Sequence, residues 1–496
     1  MDEEALRRKL KASIGLSNEI LSDEEEYIAL KLLQESYERV SSIDAEIARI
    51  RRSPQHLTKK RAAETEWIAR LRAGMSAQKK IPAEILGLIF KIYVDDEKYE
   101  LEIPPYPGSL SFVLSHVCSR WRQIVLAETS LWNTLFINNP QAVPPEVLEE
   151  ILLRAGYAIT LHLVAENIPL PILRILREYS DRFRMLHFRY DTFQTLGVQP
   201  LEIPFERLET LQSLVLTILG NEDVSEPLML YNMVSVFAHA PNVQQLSIQQ
   251  EGYLVDLDLG IHLAPFPWFH LQHLEIECGM SLSGLLHIIS QCTELISYVA
   301  IMSRDNDIRS PLSETQPGIF TLGNLKSLKL GTLNVQYNKV LDVLIAPSLQ
   351  VLKIDDHPIE LDTFLHFIQR SGCSIHTLHV GLTRDSALDI EELMRAIPTA
   401  VELSLRGPST LSESVVESLC TRTLLPNIEV LDCWAGSCRL IKKLASNRCE
   451  PKPDNSLKVM RKLAISVWSQ SVTDEWWEYQ ASLPLGEIVQ ILLVLS

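Results

Sequence analysis

Apolar residues from about residue 140 onwards follow two alternating patterns. One is a short Leu-x-Leu strand, and the other is a stretch in which apolar residues return every three or four positions, as on one face of an α-helix. The predicted strands begin at Leu161, Leu186, Leu214, Leu246, Leu274, Leu328, Leu352, Leu378, Leu403, Leu431 and Leu463. They are 24 to 32 residues apart except for one gap of 54, which leaves room for a degenerate unit near Tyr298. Because one unit cannot bury both its helix and its strand, we expect neighbouring units to stack with their strands side by side.

The helical patterns lie between the strands, for example at residues 147–152, 230–237, 361–368 and 390–397. Several of them are followed by a proline just before the next strand, at Pro241, Pro398 and Pro426. The proline ring blocks further helical hydrogen bonding, so the helices are expected to end there. A plain alternating α/β packing that reuses a Leu-x-Leu strand is the alternative to stacked repeats.

The first 80 residues predict helices with a narrow apolar seam. An acidic run, Asp23 to Glu26, is followed by apolar residues at Ile28, Leu32, Leu33, Tyr37, Val40, Ile43, Ile47 and Ile50. After Ser53-Pro54 the pattern resumes at Ala63, Trp67, Leu71 and Met75. This predicts an antiparallel helical hairpin or a short coiled coil. The heptad is imperfect, so self-association through these N-terminal helices and packing of one helix on the other are both open.

Residues 81–137 contain two short amphipathic helical patterns. Pro82 suits the first turn of a helix, where its missing N–H would have had no partner. The first pattern continues at Ile85, Leu86, Ile89, Phe90 and Tyr93, and the second consists of Leu114, Val117, Cys118, Trp121 and Val125. The connection from 95 to 109 holds Pro104, Pro105, Pro107 and Gly108, which exclude a continuous helix.

The order of these residues resembles the F-box, in the long form common among fungal F-box-like proteins. The resemblance rests on Ile81-Pro82-x-Glu84-Ile85-Leu86-x-x-Ile89-Phe90, Val117-Cys118-x-x-Trp121-Arg122-x-Ile124 and Leu131-Trp132-x-x-Leu135, and covers about 55 of the 496 residues. It implies docking on the Skp-type adaptor of a cullin-RING ubiquitin ligase (SCF type), and through that adaptor on a cullin. The adaptor-binding residues that it implies are Pro82, Ile85, Leu86, Ile89, Leu114, Val117, Trp121 and Trp132. In this role the protein binds a substrate protein, while ubiquitin transfer takes place on other subunits.

The repeats resemble a leucine-rich-repeat horseshoe, although the Asn or Cys step that usually follows the Leu-x-Leu core is largely missing. The expected fold class is therefore α/β, in three parts: a helical leader at 1–80, a small all-α F-box-like domain at 81–140 and a leucine-rich-repeat-like solenoid at 141–496. Strand side chains alternate, so residues between the leucines would face a substrate. The candidates are Glu275, Lys329, Lys353, His379, Arg406, Asp432 and Trp434. Trp434 is expected to matter most, because exposed aromatic residues dominate binding hot spots, and for each of the others a merely solvated face is the alternative.

Composition restricts the partners. The chain has 46 basic and 63 acidic residues, for a formal charge of -17, which opposes binding to phosphate backbones and predicts no nucleic-acid partner. Eight cysteines dispersed over a large chain predict free thiols in a reducing compartment, the cytoplasm or the nucleus. No secretory leader opens the chain and no apolar run reaches the roughly 18 residues that a bilayer requires, so no membrane association is expected.

No catalytic or cofactor pattern is convincing. Residues 279–283 approach a nucleophile elbow around Ser281 but lack its last glycine. The histidine pairs at 270 and 273 and at 376 and 379 are three apart, and strand alternation would point their members to opposite faces. We therefore expect a protein that is not an enzyme and has no metal or cofactor. The alternative functions are a repeat scaffold in which the helices of 81–137 serve only as a cap, and a hydrolase, which would need Ser281 beside a histidine and an acid.

Overall fold

The computed structural model describes residues 3–14, 20–49, 54–75, 77–96, 101–105, 109–164, 168–191, 207–220, 234–252, 264–280, 282–302, 318–332, 337–381, 390–406, 411–434, 438–449, 460–468 and 489–494. The chain forms two compact units. The first comprises Met1–Phe136 with Glu146–Gly156, and the second comprises Ile137–Pro145 with Tyr157–Ser496.

The first unit is mainly helical. Its helices are α1 (Glu3–Ser13), α2 (Asp23–Arg49), α3 (Pro54–Gly74), α4 (Ala83–Asp96), α5 (Leu110–Val117), α6 (Ser119–Ala127) and α7 (Pro145–Ala155), with 3-10 turns at Ala77–Lys80 and Thr129–Trp132. Two short strands, β1 (Leu101–Glu102) and β2 (Thr134–Ile137), pair in parallel. Helix α4 thus ends before the proline-containing connection, as its prolines predicted; Pro107 and Gly108 lie outside the described residues.

Helices α2 and α3 form an antiparallel hairpin. Arg39 pairs with Glu64 at 2.8 Å and Arg61 pairs with Asp44 at 2.8 Å, so positions further along one helix meet positions further back on the other. Helix α1 closes over them, and the shared core consists of Leu6, Leu10, Ile14, Ile28, Ala29, Leu32 and Leu71. The predicted hairpin is confirmed, and part of the apolar seam is used within the chain. Self-association through these helices stays a prediction.

The second unit is mixed α/β. Its strands are β3 (Ile159–Val164), β4 (Phe183–Asp191), β5 (Ser213–Gly220), β6 (Gln245–Gly252), β7 (His273–Met280), β8 (Ser297–Met302), β9 (Phe320–Thr321), β10 (Ser327–Thr332), β11 (Leu344–Ile345), β12 (Val351–Pro358), β13 (Thr377–Gly381), β14 (Glu402–Arg406), β15 (Val430–Trp434), β16 (Lys462–Trp468) and β17 (Val489–Val494). Its helices are α8 (Leu170–Glu178), α9 (Leu282–Gln291), α10 (Tyr337–Val343), α11 (Leu361–Ser371), α12 (Ile390–Ala396), α13 (Glu413–Cys420) and α14 (Cys438–Arg448), with 3-10 turns at Pro140–Ala142, Ser180–Arg182 and Trp268–His270. Three of the four helical patterns named above are α7, α11 and α12, and residues 230–233 of the fourth lie outside the described residues.

The strands from β3 to β17 form one parallel sheet in chain order, with the short β9 and β11 paired separately. All the predicted Leu-x-Leu cores lie in strands of this sheet, and their leucines are aligned, as Leu328 is with Leu352 and Leu352 with Leu378. Strand β8 fills the 54-residue gap, where Tyr298 is aligned with both Leu274 and Leu328. The predicted degenerate unit is therefore confirmed. Strand alternation buries the aligned residues and leaves the residues between them on the opposite face.

A recurring backbone contact begins the strands of this sheet. The Gln244 carbonyl accepts hydrogen bonds from the N–H groups of Gln272 and His273, at 2.8 and 3.0 Å. The Gln272 carbonyl in turn accepts from Ile296 and Ser297 at the same distances, and the pattern recurs up to β16. Each strand thus starts in a register set by the strand before it.

A buried arginine stabilises the end of one helix. Arg448, at the end of α14, is 1% exposed and donates hydrogen bonds to the carbonyls of Leu419, Leu425 and Ile428, at 3.2, 3.1 and 3.4 Å. Burial lowers the pKa of this guanidinium to about 10. The Leu419 and Leu425 carbonyls also accept backbone hydrogen bonds from Arg422 and Ile428, so the guanidinium is a further donor to acceptors at and after the end of α13.

Candidate docking surface

Three of the eight residues expected to bind an adaptor are buried among helices α4 to α6. Leu86 and Leu114 are buried, and Trp132 is 1% exposed, with its indole N–H donating to the Val125 carbonyl at 2.8 Å. The expected contact of Leu86, Leu114 and Trp132 with an adaptor is corrected accordingly. A module this small needs its largest apolar side chains for its own interior.

The Cys-x-x-Trp pair has a local structural role. Cys118 is the N-cap of α6, and its Sγ accepts a hydrogen bond from the backbone N–H of Trp121 at 3.5 Å. The half-buried Trp121 ring packs on Phe90 of α4, with 4.7 Å between ring centroids. The pair therefore fixes how α6 starts and how it meets α4.

Arginines on α6 connect the module's loops to its helices. Arg120 donates to the Lys79 carbonyl at 2.8 Å and also to the Ile81 carbonyl, directly before Pro82. Arg122 donates from Nε to the Ser115 carbonyl at 2.9 Å. These contacts to charged donors hold the beginning of α4 and the end of α5 against α6.

A set of large apolar side chains on α4 and α5 is exposed to solvent. We call it the apolar stripe, and its members, each 42% to 60% exposed, are Ile85, Leu88, Ile89, Ile92, Tyr93, Val113 and Val117. On α4 the positions 85, 88, 89 and 92 fall on one helical face, opposite the buried Leu86 and Phe90. Pro82 is exposed as well. Clustered exposed apolar side chains of this kind mark interaction sites in proteins.

The sequence motif identified only part of this stripe. It included Pro82, Ile85, Ile89 and Val117, all of which are exposed, but not Leu88, Ile92, Tyr93 or Val113. Leu88 and Ile92 could have been found from the composition of α4, because residues 83–94 carry only two charged side chains, Glu84 and Lys91. A helix that is apolar nearly all round has more apolar surface than one core can use.

The polar face of the sheet holds most of the candidate substrate-binding residues. The Glu275 carboxylate accepts hydrogen bonds from Ser247 at 2.7 Å and Gln249 at 3.4 Å. His379 Nε2 lies 2.9 Å from Glu402 Oε1. These side chains are partly exposed and held by neighbouring strands rather than freely solvated.

The other polar candidates also face away from the buried leucines. Lys329 and Lys353 are aligned on neighbouring strands and are partly exposed. Asp432 Oδ2 accepts a hydrogen bond from Ser404 at 3.0 Å, and Arg406, at the end of β14, is exposed. The polar candidates thus occupy several neighbouring strands of one sheet face.

Trp434 does not have the exposure expected of it. Alternation puts it on the same side as Asp432, yet it is only 8% exposed at the end of β15. Alternation fixes direction along a strand and takes no account of what covers the strand's end. Trp434 is therefore corrected from an exposed aromatic anchor to a buried residue.

A histidine pair that sequence reasoning missed lies on β3 and β4. His162 and His187 are aligned in register, and their Nδ1 atoms are 2.9 Å apart. His187 Nε2 is 2.9 Å from the Thr217 hydroxyl. Burial lowers the pKa of both rings, that of His187 to about 4, so both are neutral at pH 7. Neutral rings share one hydrogen bond where two imidazolium ions would repel.

Among the described residues, no group of three or more His, Cys, Asp or Glu side chains is arranged to hold a metal ion. Ser281, the nucleophile of the hydrolase alternative, lies outside the described residues. Within the described ranges, no helix combines the length and the apolar character needed to cross a membrane.

No protein-family model matches this chain, and no curated protein matches it either.

Proposed function

We propose that the protein is a substrate-recognition subunit of an SCF-type cullin-RING ubiquitin ligase. In this proposal, residues 81–137 dock on a Skp-type adaptor, and the second unit binds a protein substrate. The observation that carries the proposal is the apolar stripe, which includes Ile85, Ile89 and Val117 of the F-box-like motif and lies outside the core that the same motif builds.

The stripe is large enough to supply the binding energy. Fully burying a Leu or Ile side chain contributes about 1.5–3 kcal/mol. Ile85, Leu88, Ile89 and Ile92 are each about half exposed, so covering them would contribute roughly 3–6 kcal/mol before the costs of association. Val113, Val117 and Tyr93 add to this total.

We further propose that residues 141–496 form a leucine-rich-repeat-like solenoid. Support comes from parallel strands in chain order, aligned leucines from strand to strand, and the recurring backbone contact at the start of each strand. In such an array the polar face of the sheet is the substrate surface.

The mechanism of this function is proximity, and the protein itself supplies no catalytic group. Holding a substrate beside a charged ubiquitin carrier makes the transfer effectively intramolecular and raises the local concentration to roughly millimolar. All eight cysteines are free thiols, which favours a reducing compartment, the cytoplasm or the nucleus.

The alternative function, a repeat scaffold, predicts a different exposure for some of the same residues. If the helices of 81–137 were only a structural cap, Pro82, Ile85 and Trp121 would be buried. Pro82 and Ile85 are exposed and Trp121 is half-buried, which favours the receptor.

The test is a binding titration between the purified full-length protein and a purified Skp-type adaptor. The informative variant is Ile85→Asp with Ile89→Asp, because both side chains are exposed and their loss leaves the module core intact. A matched control is Ile319→Asp, an isoleucine of the second unit that is 63% exposed. Circular dichroism verifies that all proteins are folded.

We expect the wild type and the control to bind alike, and the double variant to bind at least about 100-fold more weakly, as for loss of a buried hot spot. A folded wild type that does not bind, or binding that the double variant leaves unchanged, would contradict the receptor role. Either result would favour the repeat scaffold.

A further inference from the structure

The sheet of the second unit carries charges of opposite sign in one aligned row. Glu275 of β7 is in register with Val299 of β8, Val299 with Lys329 of β10, and Lys329 with Lys353 of β12. All four side chains lie between the buried positions of their strands and are partly exposed. We call these four residues the charged row.

The row runs from an acidic end to a basic end. Glu277, next but one to Glu275 along β7 and also partly exposed, strengthens the acidic end. His379 is in register with Lys353 and lies 2.9 Å from the Glu402 carboxylate, so the row ends at Lys353. Val299 separates the two ends with an apolar side chain, and Ile301 lies beside it on the same face.

The acidic end is already oriented. Because Ser247 and Gln249 donate to the Glu275 carboxylate, less side-chain freedom is lost when a cation binds it. At the basic end, Lys329 and Lys353 lie directly opposite each other on neighbouring strands, so one anionic group can contact both side chains.

The distance between the acidic and the basic end of the charged row restricts which ligand can contact both. Neighbouring strands are about 4.8 Å apart, so the positions of Glu275 and Lys329, two strands apart, are separated by roughly 10 Å. A segment in the polyproline II conformation rises about 3.1 Å per residue with three residues per turn, which puts residues i and i+3 on one side about 9 Å apart. Opposite charges three residues apart therefore match both ends.

We propose that the charged row binds an extended segment of a partner protein with an acidic and a basic side chain three residues apart. The acidic side chain faces Lys329 and Lys353, the basic side chain faces Glu275, and an apolar residue between them contacts Val299. This inference rests on the proposed role of the sheet as the substrate surface and is independent of adaptor docking.

The test selects peptides from a random 12-residue phage-displayed library on the immobilised full-length protein. Selection is repeated on a charge swap, Glu275→Lys with Lys329→Glu, which keeps the net charge. The matched control swap is Glu294→Lys with Lys339→Glu, two exposed residues of the same unit. Enriched peptides are synthesised with a fluorescent label, and their affinities are measured by anisotropy.

We expect the wild type and the control swap to enrich peptides with opposite charges three residues apart, in one fixed order. The charge swap should reverse that order and weaken the wild-type peptides at least about tenfold. Failure to enrich any peptide, or enrichment that ignores the charge swap, would overturn the inference. Adaptor titration of the same proteins separates the two proposals, because the swapped residues lie outside 81–137.

Discussion

Helix α4 and the strands of the sheet use apolar residues in opposite ways. In β10, Leu328 and Leu330 are buried and Lys329 between them is partly exposed, so the apolar pattern matches the core. In α4, Leu86 and Phe90 fill the core while apolar side chains on the other face stay about half exposed. The exposed face of the sheet is thus polar, whereas the exposed face of α4 is apolar. Apolar surface in excess of what a core can bury is the better indicator of a partner.

The largest expected effect is at Trp132, in the core of the module. Trp132→Ala removes the most deeply buried large side chain of the module, together with its hydrogen bond to Val125, and should cost about 3–5 kcal/mol of stability. Ile89→Ala, on the exposed face of α4, should change stability by less than about 0.5 kcal/mol. Urea unfolding followed by pulse proteolysis measures both.

The converse holds for binding. Under the proposed function, Ile89→Ala should weaken binding to a Skp-type adaptor in a titration and leave the urea midpoint of unfolding unchanged. If the two substitutions lowered stability equally, the exposed face of α4 would belong to the core, and the distinction between core and stripe would be lost.

A second large effect is expected in the sheet region, at Arg448. Arg448→Ala removes three hydrogen bonds to carbonyls and opens a cavity, which should cost about 2–4 kcal/mol. The matched control is Arg439→Ala, an exposed arginine of the same helix, for which a change within about 0.5 kcal/mol is expected. Differential scanning calorimetry compares the two. Equal stabilities for both variants would mean that water replaces the guanidinium at no cost.

Much of the sheet was predictable from the sequence, because each strand is marked by a pattern of three consecutive residues. Each Leu-x-Leu core reads as a buried pair around an exposed residue, and aligning these cores gives the strand order directly. The degenerate strand at Tyr298 was located by spacing alone. Strand β17 was not among the strands predicted from the Leu-x-Leu cores.

The candidate surfaces were less predictable because exposure depends on packing across elements. Motif residues include both core and surface, so the motif did not distinguish Leu86 from Ile85. Trp434 is a second example, in a strand: alternation predicts the direction of its side chain but not whether other residues bury it. The contact of His162 with His187 needs the register of β3 and β4, which link residues 25 positions apart.

This histidine pair should make the sheet region sensitive to acid. His187 has a pKa of about 4 in the folded state against an ordinary histidine pKa of 6.5, so the unfolded chain binds the extra proton first as the pH falls. The stability that the neutral ring contributes is complete above pH 6.5 and is lost as the pH falls towards 4. Because the ring is only half-buried, we expect a loss of about 1–2 kcal/mol rather than the full value of the shift.

Calorimetry between pH 7 and pH 4 measures this loss. His187→Gln should flatten the pH dependence by that amount, whereas His366→Gln, at an exposed position of α11, should leave it unchanged. Acid sensitivity that persists in the His187 variant would assign the effect to other groups.

The smallest expected effect concerns Gly87, on the buried face of α4. A Cβ built at this position lies 3.4 Å from Glu128 Oε2, the end of a flexible side chain, and 3.8 Å from Ile124 Cγ2. Gly87→Ala therefore fits and should stabilise the protein by about 0.4–1 kcal/mol, because alanine loses less backbone freedom in a helix. The same substitution at Gly372, where φ is +60°, should instead destabilise it by about 1 kcal/mol.

Adaptor affinity should not change with Gly87→Ala, since the apolar stripe lies on the other face of the helix. A stabilised variant with weakened adaptor binding would mean that docking requires α4 to shift against α6, and that core and stripe are energetically coupled.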